Sequence, residues 1–173
     1  MAIETSQPTI FLSYAHGDAK RAQQLAAALS ARGYIVWWDA LIEGGAQFAK
    51  SIREALEAAD AVVVLWSRTS VESDWVADEA AQGRDRKRLV PLSLDGSLPP
   101  LGFRQYQTID LASWRGKAAS PQIDSIDRAI GSAIGGSPGT LRPQALAGVG
   151  GVDRRQSIKI AVGATAVVAA GGA

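Results

Sequence analysis

Two side chains with complementary chemistry, Trp75 and Glu79, stand four residues apart directly after the apolar run 61–66. On a helix this spacing places both on one face, one turn apart. If the helix follows a parallel strand at 61–66, the pair lies near the carboxyl edge of a sheet, where open α/β folds bind ligands. An indole beside a carboxylate suits a sugar nucleotide whose glycosidic bond breaks with positive charge on the ribose. Spacing alone favours a plainer alternative, with Trp75 in the core and Glu79 a solvated helix acid, because such pairs are common on helices.

Composition and charge narrow the classes of function open to the chain. Its 173 residues carry a net charge of +1, include no cysteine and contain a single histidine. The lack of cysteine removes disulfides, thiolate nucleophiles and zinc–sulfur sites, and one histidine argues against a multi-histidine metal site or a Ser-His-Asp triad. No metal and no nucleic-acid partner are therefore expected. Because the first residues lack the basic and apolar regions of a signal peptide, a cytoplasmic domain is expected.

Strands and helices are predicted to alternate along residues 8–135. Runs of β-branched and aromatic residues predict strands at 9–14, 34–38, 61–66, 89–94 and 107–111. Apolar residues at helical spacing predict helices at 19–32, at 48–59, from Ser73 into 84–88, and at 121–134. Asp18 is expected to cap the first helix, and Ile134 to face the core in the last. Parallel neighbours need crossover helices, so the predicted fold class is α/β: a doubly wound five-stranded parallel sheet with helices on both faces.

The composition changes after residue 135. Residues 136–157 are rich in glycine and contain prolines, which predicts a flexible linker. Residues 158–173 form an apolar tail that is shorter than the about 20 residues a bilayer span needs. The tail is either the start of a truncated transmembrane helix or a short apolar end, and the basic residues before it favour the first alternative.

Other chemistry-bearing residues have plain explanations. No glycine-rich phosphate-binding fingerprint is present, which excludes a Rossmann dehydrogenase and a P-loop NTPase. His16 follows the first predicted strand and could act as a base, although a solvated turn residue is the more frequent case. The basic cluster 84–88 could contact phosphates, but the end of a helix favours cations, and a solvated face is the expected case. Trp37 and Trp38 should lie on opposite faces of the sheet.

Several segments in a fixed order carry a family resemblance. They are Ile10-Phe11-Leu12-Ser13-Tyr14-Ala15 with Asp18, Val36-Trp37-Trp38-Asp39 with Gly44-Gly45-Ala46-Gln47-Phe48, Ser67-Arg68-Thr69-Ser70, Trp75-x-x-x-Glu79, and Leu89-Val90-Pro91-Leu92. Any one of them is a weak match, whereas all of them in this order are specific. Together they resemble the TIR (Toll/interleukin-1 receptor) domain, in its bacterial branch, over residues 8–135.

The resemblance implies a flavodoxin-like fold and one of two functions. Many bacterial members cleave NAD⁺ at the nicotinamide–ribose bond, giving nicotinamide with linear or cyclic ADP-ribose. Such a protein is an NAD⁺ nucleosidase that uses NAD⁺ as substrate and needs no cofactor. Other members are non-catalytic TIR–TIR adaptors in innate immune signal transduction. The Trp75-x-x-x-Glu79 segment favours the enzyme, and the sequence does not distinguish a linear from a cyclic product.

The resemblance also assigns residues and partners. The glutamate matching Glu79 is catalytic in the enzymes, and the tryptophan matching Trp75 lines the substrate pocket. The further residues expected to bind the substrate are Tyr14, His16, Trp38, Asp39 and Phe48. Self-association commonly completes the site, so a second copy or another TIR domain is the expected protein partner. A membrane tether through 158–173 would raise the local concentration and favour that assembly.

Overall fold

The strands form one parallel sheet in the predicted order. A computed structural model describes residues 7–38 and 46–135, with side chains of the second range described from residue 50. Within these ranges the strands are β1 Thr9–Ser13, β2 Ile35–Trp37, β3 Ala61–Trp66, β4 Leu89–Ser93 and β5 Ile109–Asp110. They lie in the order β2-β1-β3-β4-β5, and every pairing is parallel. This is the flavodoxin-like order, so the predicted fold class is confirmed.

Helices connect the first four strands, together with two short 3₁₀ turns at His16–Asp18 and Ser70–Glu72, whereas β4 runs to β5 through a loop and the last helix follows β5. The helices of the described ranges are α1 Ala19–Ser30, α2 Ala46–Ala58, α3 Asp74–Asp85 and α4 Pro121–Ala133. α2 includes residues 46–47, which were expected in the preceding loop. Ile134 was expected in the core but is the C-cap of α4 and is 39% exposed, because it lies beyond the last turn that packs on the sheet.

The sheet separates two apolar cores, one under each pair of helices. The core beneath α1 and α4 takes one set of alternating strand residues, which includes Ile10, Leu12, Ala61, Val63 and Leu65. The core beneath α2 and α3 takes the other set, which includes Phe11, Val62, Val64 and Trp66. Every residue of β3 is buried, as expected of a central parallel strand covered on both faces.

The adjacent indoles of Trp37 and Trp38 lie on opposite faces of the sheet, as predicted. Trp37 stacks on Phe11 on the α2/α3 side, with ring centroids 5.0 Å apart. Trp38 packs near Tyr14 on the α1/α4 side, with ring centroids 6.4 Å apart. The two rings therefore extend different cores, although their residues are neighbours in the chain.

A compensated polar network joins α1 to α4. Arg32 Nη2 donates to Asp124 Oδ1 at 2.6 Å, and Arg32 Nη1 lies 3.8 Å from Asp127 Oδ2. The hydroxyl of the buried Tyr34 donates to Asp127 Oδ1. Burial first, and then this hydrogen bond, raises the pKa of Tyr34 far above its ordinary value. Each charged or polar group of the network thus has a partner of complementary character.

The basic cluster 84–88 was expected to be a solvated face, whereas three of its arginines make contacts within the fold. Arg88 Nη1 donates to the carbonyl oxygen of Ala59 at 2.7 Å, and Arg86 Nη1 to that of Leu56 at 3.4 Å. These carbonyls belong to the C-terminal end of α2 and the residue after it, where cations are favourable. Arg84 lies over the ring of Phe103 at 5.3 Å. The cluster therefore supports the packing of α2 and α3.

Several expectations concern residues outside the described ranges. They include Asp39, the predicted linker at 136–157 and the apolar tail at 158–173. Phe48 lies in α2, but its side chain is outside the description. Among the helices of the described ranges, none is long and apolar enough to cross a membrane.

Candidate active site

Buried polar side chains gather at the carboxyl edge of the sheet. Ser13 ends β1, Ser93 ends β4, and Ser67 directly follows β3. Ser70 and Glu79 come from the segment and helix that follow β3. β1 and β3 are neighbours at the point where the strand order reverses, which is where open α/β sheets bind ligands. The sequence placed Glu79 at this edge, and the structure agrees.

Two local features of α3 bring Glu79 against the sheet. Ser73 caps the helix, as predicted, with its side chain accepting from the backbone N–H of Val76 at 3.4 Å. One turn beyond Glu79, Gly83 lies so close to β3 that an added Cβ would come within 2.8 Å of Val62 Cβ. A larger residue there would hold the helix away from the strand. The close approach therefore determines how deeply Glu79 is buried.

The burial of Trp75 and Glu79 is the reverse of the alternative in which Trp75 lies in the core and Glu79 is a solvated helix acid. Trp75 is 48% exposed, whereas Glu79 is 7% exposed. Trp75 Nε1 donates to Glu79 Oε1 at 2.6 Å, which fixes the indole beside the carboxyl group. A half-exposed aromatic face next to a buried acid is suited to holding a planar or sugar-bearing ligand against that acid.

The carboxyl group of Glu79 has an unusual electrostatic environment. Its pKa is raised from 4.5 to about 7, and the largest cause is desolvation by burial. The Ser13 hydroxyl and then the Trp75 indole lower the pKa, while the negative charge of Asp78 raises it. No cation of the described residues is among these influences. A perturbed acid at the ligand edge of an α/β sheet is a mark of a functional site.

Asp18 takes part in a hydrogen-bond network at this edge, which the sequence did not predict. Its side chain makes no capping hydrogen bond to α1, although the residue occupies the N-cap position. Instead its Oδ2 accepts from Ser67 Oγ at 2.5 Å. Ser67 and Ser70 are joined in turn, because each backbone N–H donates to the other's hydroxyl oxygen, at 2.7 and 3.1 Å. The network fixes the turn after β1 to the segment after β3.

Two of the other predicted binding residues, Tyr14 and Trp38, do not lie beside Glu79. Tyr14 and Trp38 pack together on the α1/α4 side of the sheet, whereas Glu79 lies on the α2/α3 side. His16 is exposed in the turn after β1. Asp39 and the side chain of Phe48 lie outside the described part of the chain. Their roles in binding stay predictions.

One neighbour of Glu79, Ser13, was missed by sequence reasoning. It is 2% exposed and lies on the face of β1 that Phe11 also occupies, towards α2 and α3. The signal was present, since Ser13 is a polar residue that ends an otherwise apolar buried run. Among the side chains that the structure describes, no three of the types His, Asp and Glu come together as a set of metal ligands.

Comparison with known families agrees with this fold. A family model for the TIR domain matches residues 10–127. The chain belongs to the TIR domain family. The matched range runs from β1 into α4 and includes Trp75 and Glu79. Domains of this family associate with themselves or with other TIR domains. The bacterial branch within the family stays a prediction.

A solved structure supports the same fold. The TIR domain is similar to a metazoan TIR-STING receptor from C. gigas in complex with 2′,3′-cGAMP, with a TM-score of 0.55 and 21% sequence identity. The match covers 74% of this chain and 39% of that one, so this chain spans less than half of the receptor's length. At this identity the likeness concerns the fold alone. No curated protein matches the chain.

Proposed function

We propose that this TIR domain is an NAD⁺ glycohydrolase that cleaves the nicotinamide–ribose bond and is activated by self-association. The observation that carries the proposal is the buried carboxyl group of Glu79, 2.6 Å from the indole nitrogen of the half-exposed Trp75, at the carboxyl edge of the sheet. An aromatic surface for the substrate and an acid for the reacting ribose are thus adjacent. A tether through residues 158–173 would favour the association.

The reaction needs little from the protein beyond positioning and a negative charge. The C1′–N bond of NAD⁺ breaks, its electron pair leaves with neutral nicotinamide, and the ribose becomes oxocarbenium-like. Because the leaving group is already cationic, no general acid is required. A water molecule then forms the new bond to C1′ and releases its proton, giving ADP-ribose. A ring nitrogen of the adenine in place of water would give the cyclic product.

Glu79 stabilises the positive charge on the ribose in its ionised form. Burial both strengthens that interaction and raises the pKa of the group to about 7. Near neutral pH the carboxyl group is therefore divided between two forms, and we expect the fraction of active enzyme to rise with pH. Positive charge developing on the bound ribose favours the ionised form.

A second candidate function is a non-catalytic TIR–TIR adaptor. The observation that favours it is the loop after β4, in which Leu98 is 69% and Leu101 is 82% exposed around Pro99-Pro100. Exposed leucines in one loop are typical of protein contacts. This function predicts a TIR partner and no consumption of NAD⁺ at any protein concentration.

The test is consumption of NAD⁺ by the full chain, clustered on beads, against Glu79→Gln. We expect turnover in the unaltered chain and a loss of at least about 100-fold in the variant, because one preorganised transition-state group is removed. The matched control is Glu72→Gln, which neutralises an exposed acid just before α3 and should keep full turnover. No turnover by the clustered chain would favour the adaptor. Full turnover by Glu79→Gln would instead exclude Glu79 as the catalytic residue and overturn the mechanism proposed above.

A further inference from the structure

Ser13 differs from the other buried serines at the carboxyl edge. Ser67 Oγ donates to Asp18, and Ser93 Oγ donates to the carbonyl oxygen of Ser97 at 3.0 Å. Ser70 Oγ accepts from the backbone N–H of Ser67. Ser13 Oγ is fully buried and has no partner with complete hydrogen-bond geometry, a property that it shares, among the described side chains, with Trp66 Nε1. A buried hydroxyl without a partner is costly, so its presence needs a reason.

The position of Ser13 supplies the reason. Along β1, Phe11 and Ser13 point to the side of the sheet that α2 and α3 cover. Glu79 projects from α3 onto the same side, and the Ser13 hydroxyl lies close enough to lower the pKa of its carboxyl group. Trp75 Nε1 already donates to Oε1 of that group. The remaining lone pairs of the carboxyl group are thus open to a second donor, and Ser13 is the hydroxyl beside them.

We propose that Ser13 is a positioning residue for the cleavage of NAD⁺: its hydroxyl closes onto the Glu79 carboxylate when that group ionises, and orients it with Trp75 Nε1 towards the ribose. The role rests on the proposed function. Ionisation drives the closure, because a hydrogen bond to a charged acceptor is about twice as strong as one to a neutral acceptor. Two donors from different elements, β1 and α3, then hold the carboxylate in one orientation.

Among the described residues, no cation influences the carboxyl group of Glu79, so neutral donors are the groups that can orient it. β1, β3 and β4, the strands against which α3 packs, contain no charged residue in their spans. Asp18, in the turn after β1, accepts from Ser67. The charged residues of the helices and turn on this side are Lys50, Arg53, Glu54 and Glu57 in α2, Glu72 in the turn before α3, and Asp74, Asp78, Arg84 and Asp85 in α3. Of these, only Asp78 is among the influences on the pKa of Glu79, and it opposes ionisation.

The test is a ¹³C-carboxyl NMR titration of Glu79 in the full chain, with Ser13→Ala compared with the unaltered protein. We expect the pKa of Glu79 to rise by about one pH unit, because a hydrogen bond to the ionised form is lost. Ser13→Thr keeps the hydroxyl and should restore the original value. Ser93→Ala is the matched control, since it removes a buried hydroxyl from the same edge that bonds to Ser97 instead, and it should leave the titration unchanged.

Two further measurements distinguish a positioning role of Ser13 from a purely structural one. The pH profile of NAD⁺ cleavage should move to higher pH in Ser13→Ala by the same amount as the titration. At pH 5, where Glu79 is protonated, the melting temperature of this variant should be unchanged or higher, because the substitution deletes a buried hydroxyl without a complete hydrogen bond. An unchanged pKa of Glu79, or an equal rise in Ser93→Ala, would overturn the proposal.

The outcome for NAD⁺ itself is read separately. If the unaltered chain does not turn over NAD⁺ when clustered, the proposed function fails and a catalytic role for Ser13 fails with it. If turnover is observed and the titration of Ser13→Ala matches that of the unaltered chain, the enzyme stands and Ser13 alone is excluded.

Discussion

Two polar regions of this TIR domain are built on opposite principles. Between α1 and α4, the hydroxyl of Tyr34 and the guanidinium of Arg32 meet the carboxylate of Asp127, so each group has a complementary partner. At the carboxyl edge, Glu79 is buried with two neutral donors nearby, and the nearest charge that influences it is another acid. The first region balances its charges, and the second does not.

Under the proposed function, the difference separates a polar region that stabilises the fold from one that performs chemistry. In a compensated network, the hydrogen bonds and ion pairs between the members offset the free energy of desolvating them. An uncompensated carboxyl group lowers stability when ionised, and persists where its charge is needed by something outside the fold. On this view the positive charge that Glu79 lacks is the ribose of the substrate at the moment of bond cleavage.

The largest expected effect is on the stability of Glu79→Gln. The folded-state pKa lies above that of the unfolded chain, so the protonated group stabilises the fold fully below about pH 4.5, and this contribution is lost as the pH rises through about 7. At pH 8 the variant should therefore gain up to about 3 kcal/mol of unfolding free energy. Urea denaturation at pH 8 and pH 5 checks this, with a smaller gain expected at pH 5. A lower unfolding free energy for Glu79→Gln than for the unaltered chain at pH 8 would show that Glu79 is compensated, as the groups between α1 and α4 are.

The next effect has the opposite sign and belongs to the compensated network. Asp127→Ala should cost about 2 kcal/mol, because it leaves the buried hydroxyl of Tyr34 without a partner and removes one carboxylate from Arg32. A double-mutant cycle with Tyr34→Phe should show coupling between the two residues. NAD⁺ turnover per folded molecule should not change, and a shifted pH profile in this variant would contradict the separation of the regions.

A smaller loss is expected where α3 approaches the sheet. Gly83→Ala gains about 1 kcal/mol of helix propensity but places a Cβ against the stiff side chain of Val62, which costs about 1–3 kcal/mol. The net result should be a loss of about 1 kcal/mol together with lower turnover, since the helix that carries Glu79 is displaced. The matched control is Gly131→Ala in α4, where an added Cβ meets no atom within 4 Å and the variant should be at least as stable as the unaltered chain.

The smallest effect on stability is predicted for Trp75→Phe. The side chain is half exposed, so the unfolding free energy should change by less than about 0.5 kcal/mol. The substitution keeps an aromatic surface and deletes the Nε1 donor to Glu79, so turnover near neutral pH should fall by about tenfold. Steady-state kinetics across pH would show the loss to be largest at low pH, and full turnover would show that the indole nitrogen is dispensable.

Local patterns in the sequence were sufficient for much of the fold. The apolar run of β3, the cap at Ser73 and the helical spacing of Trp75 and Glu79 are each encoded within a few residues, and the structure confirms them. Element ends were less well defined, as with the start of α2 and the exposure of Ile134. The end of a helix or strand depends on where its packing against the rest of the fold stops, and the periodicity of apolar residues does not show this.

The inner arrangement of the site could not be predicted in the same way. Asp18 bonds to Ser67, 49 residues away, in preference to the helix that it precedes. The exposure of Trp75 and the burial of Glu79 depend on how closely α3 packs, which Gly83 permits from one turn further along. These properties arise between segments that are distant in the chain, and spacing within one segment contains no information about them.

The most direct test of an uncompensated, functional carboxyl group is the pH dependence of NAD⁺ cleavage by the clustered full chain between pH 5.5 and 8.5. With the pKa of Glu79 at about 7, turnover should rise about tenfold per pH unit at the acidic end and level off above neutrality. The bead-bound amount of folded protein is measured at each pH as the control. A rate that is constant over this range, or that falls as the pH rises, would contradict the account.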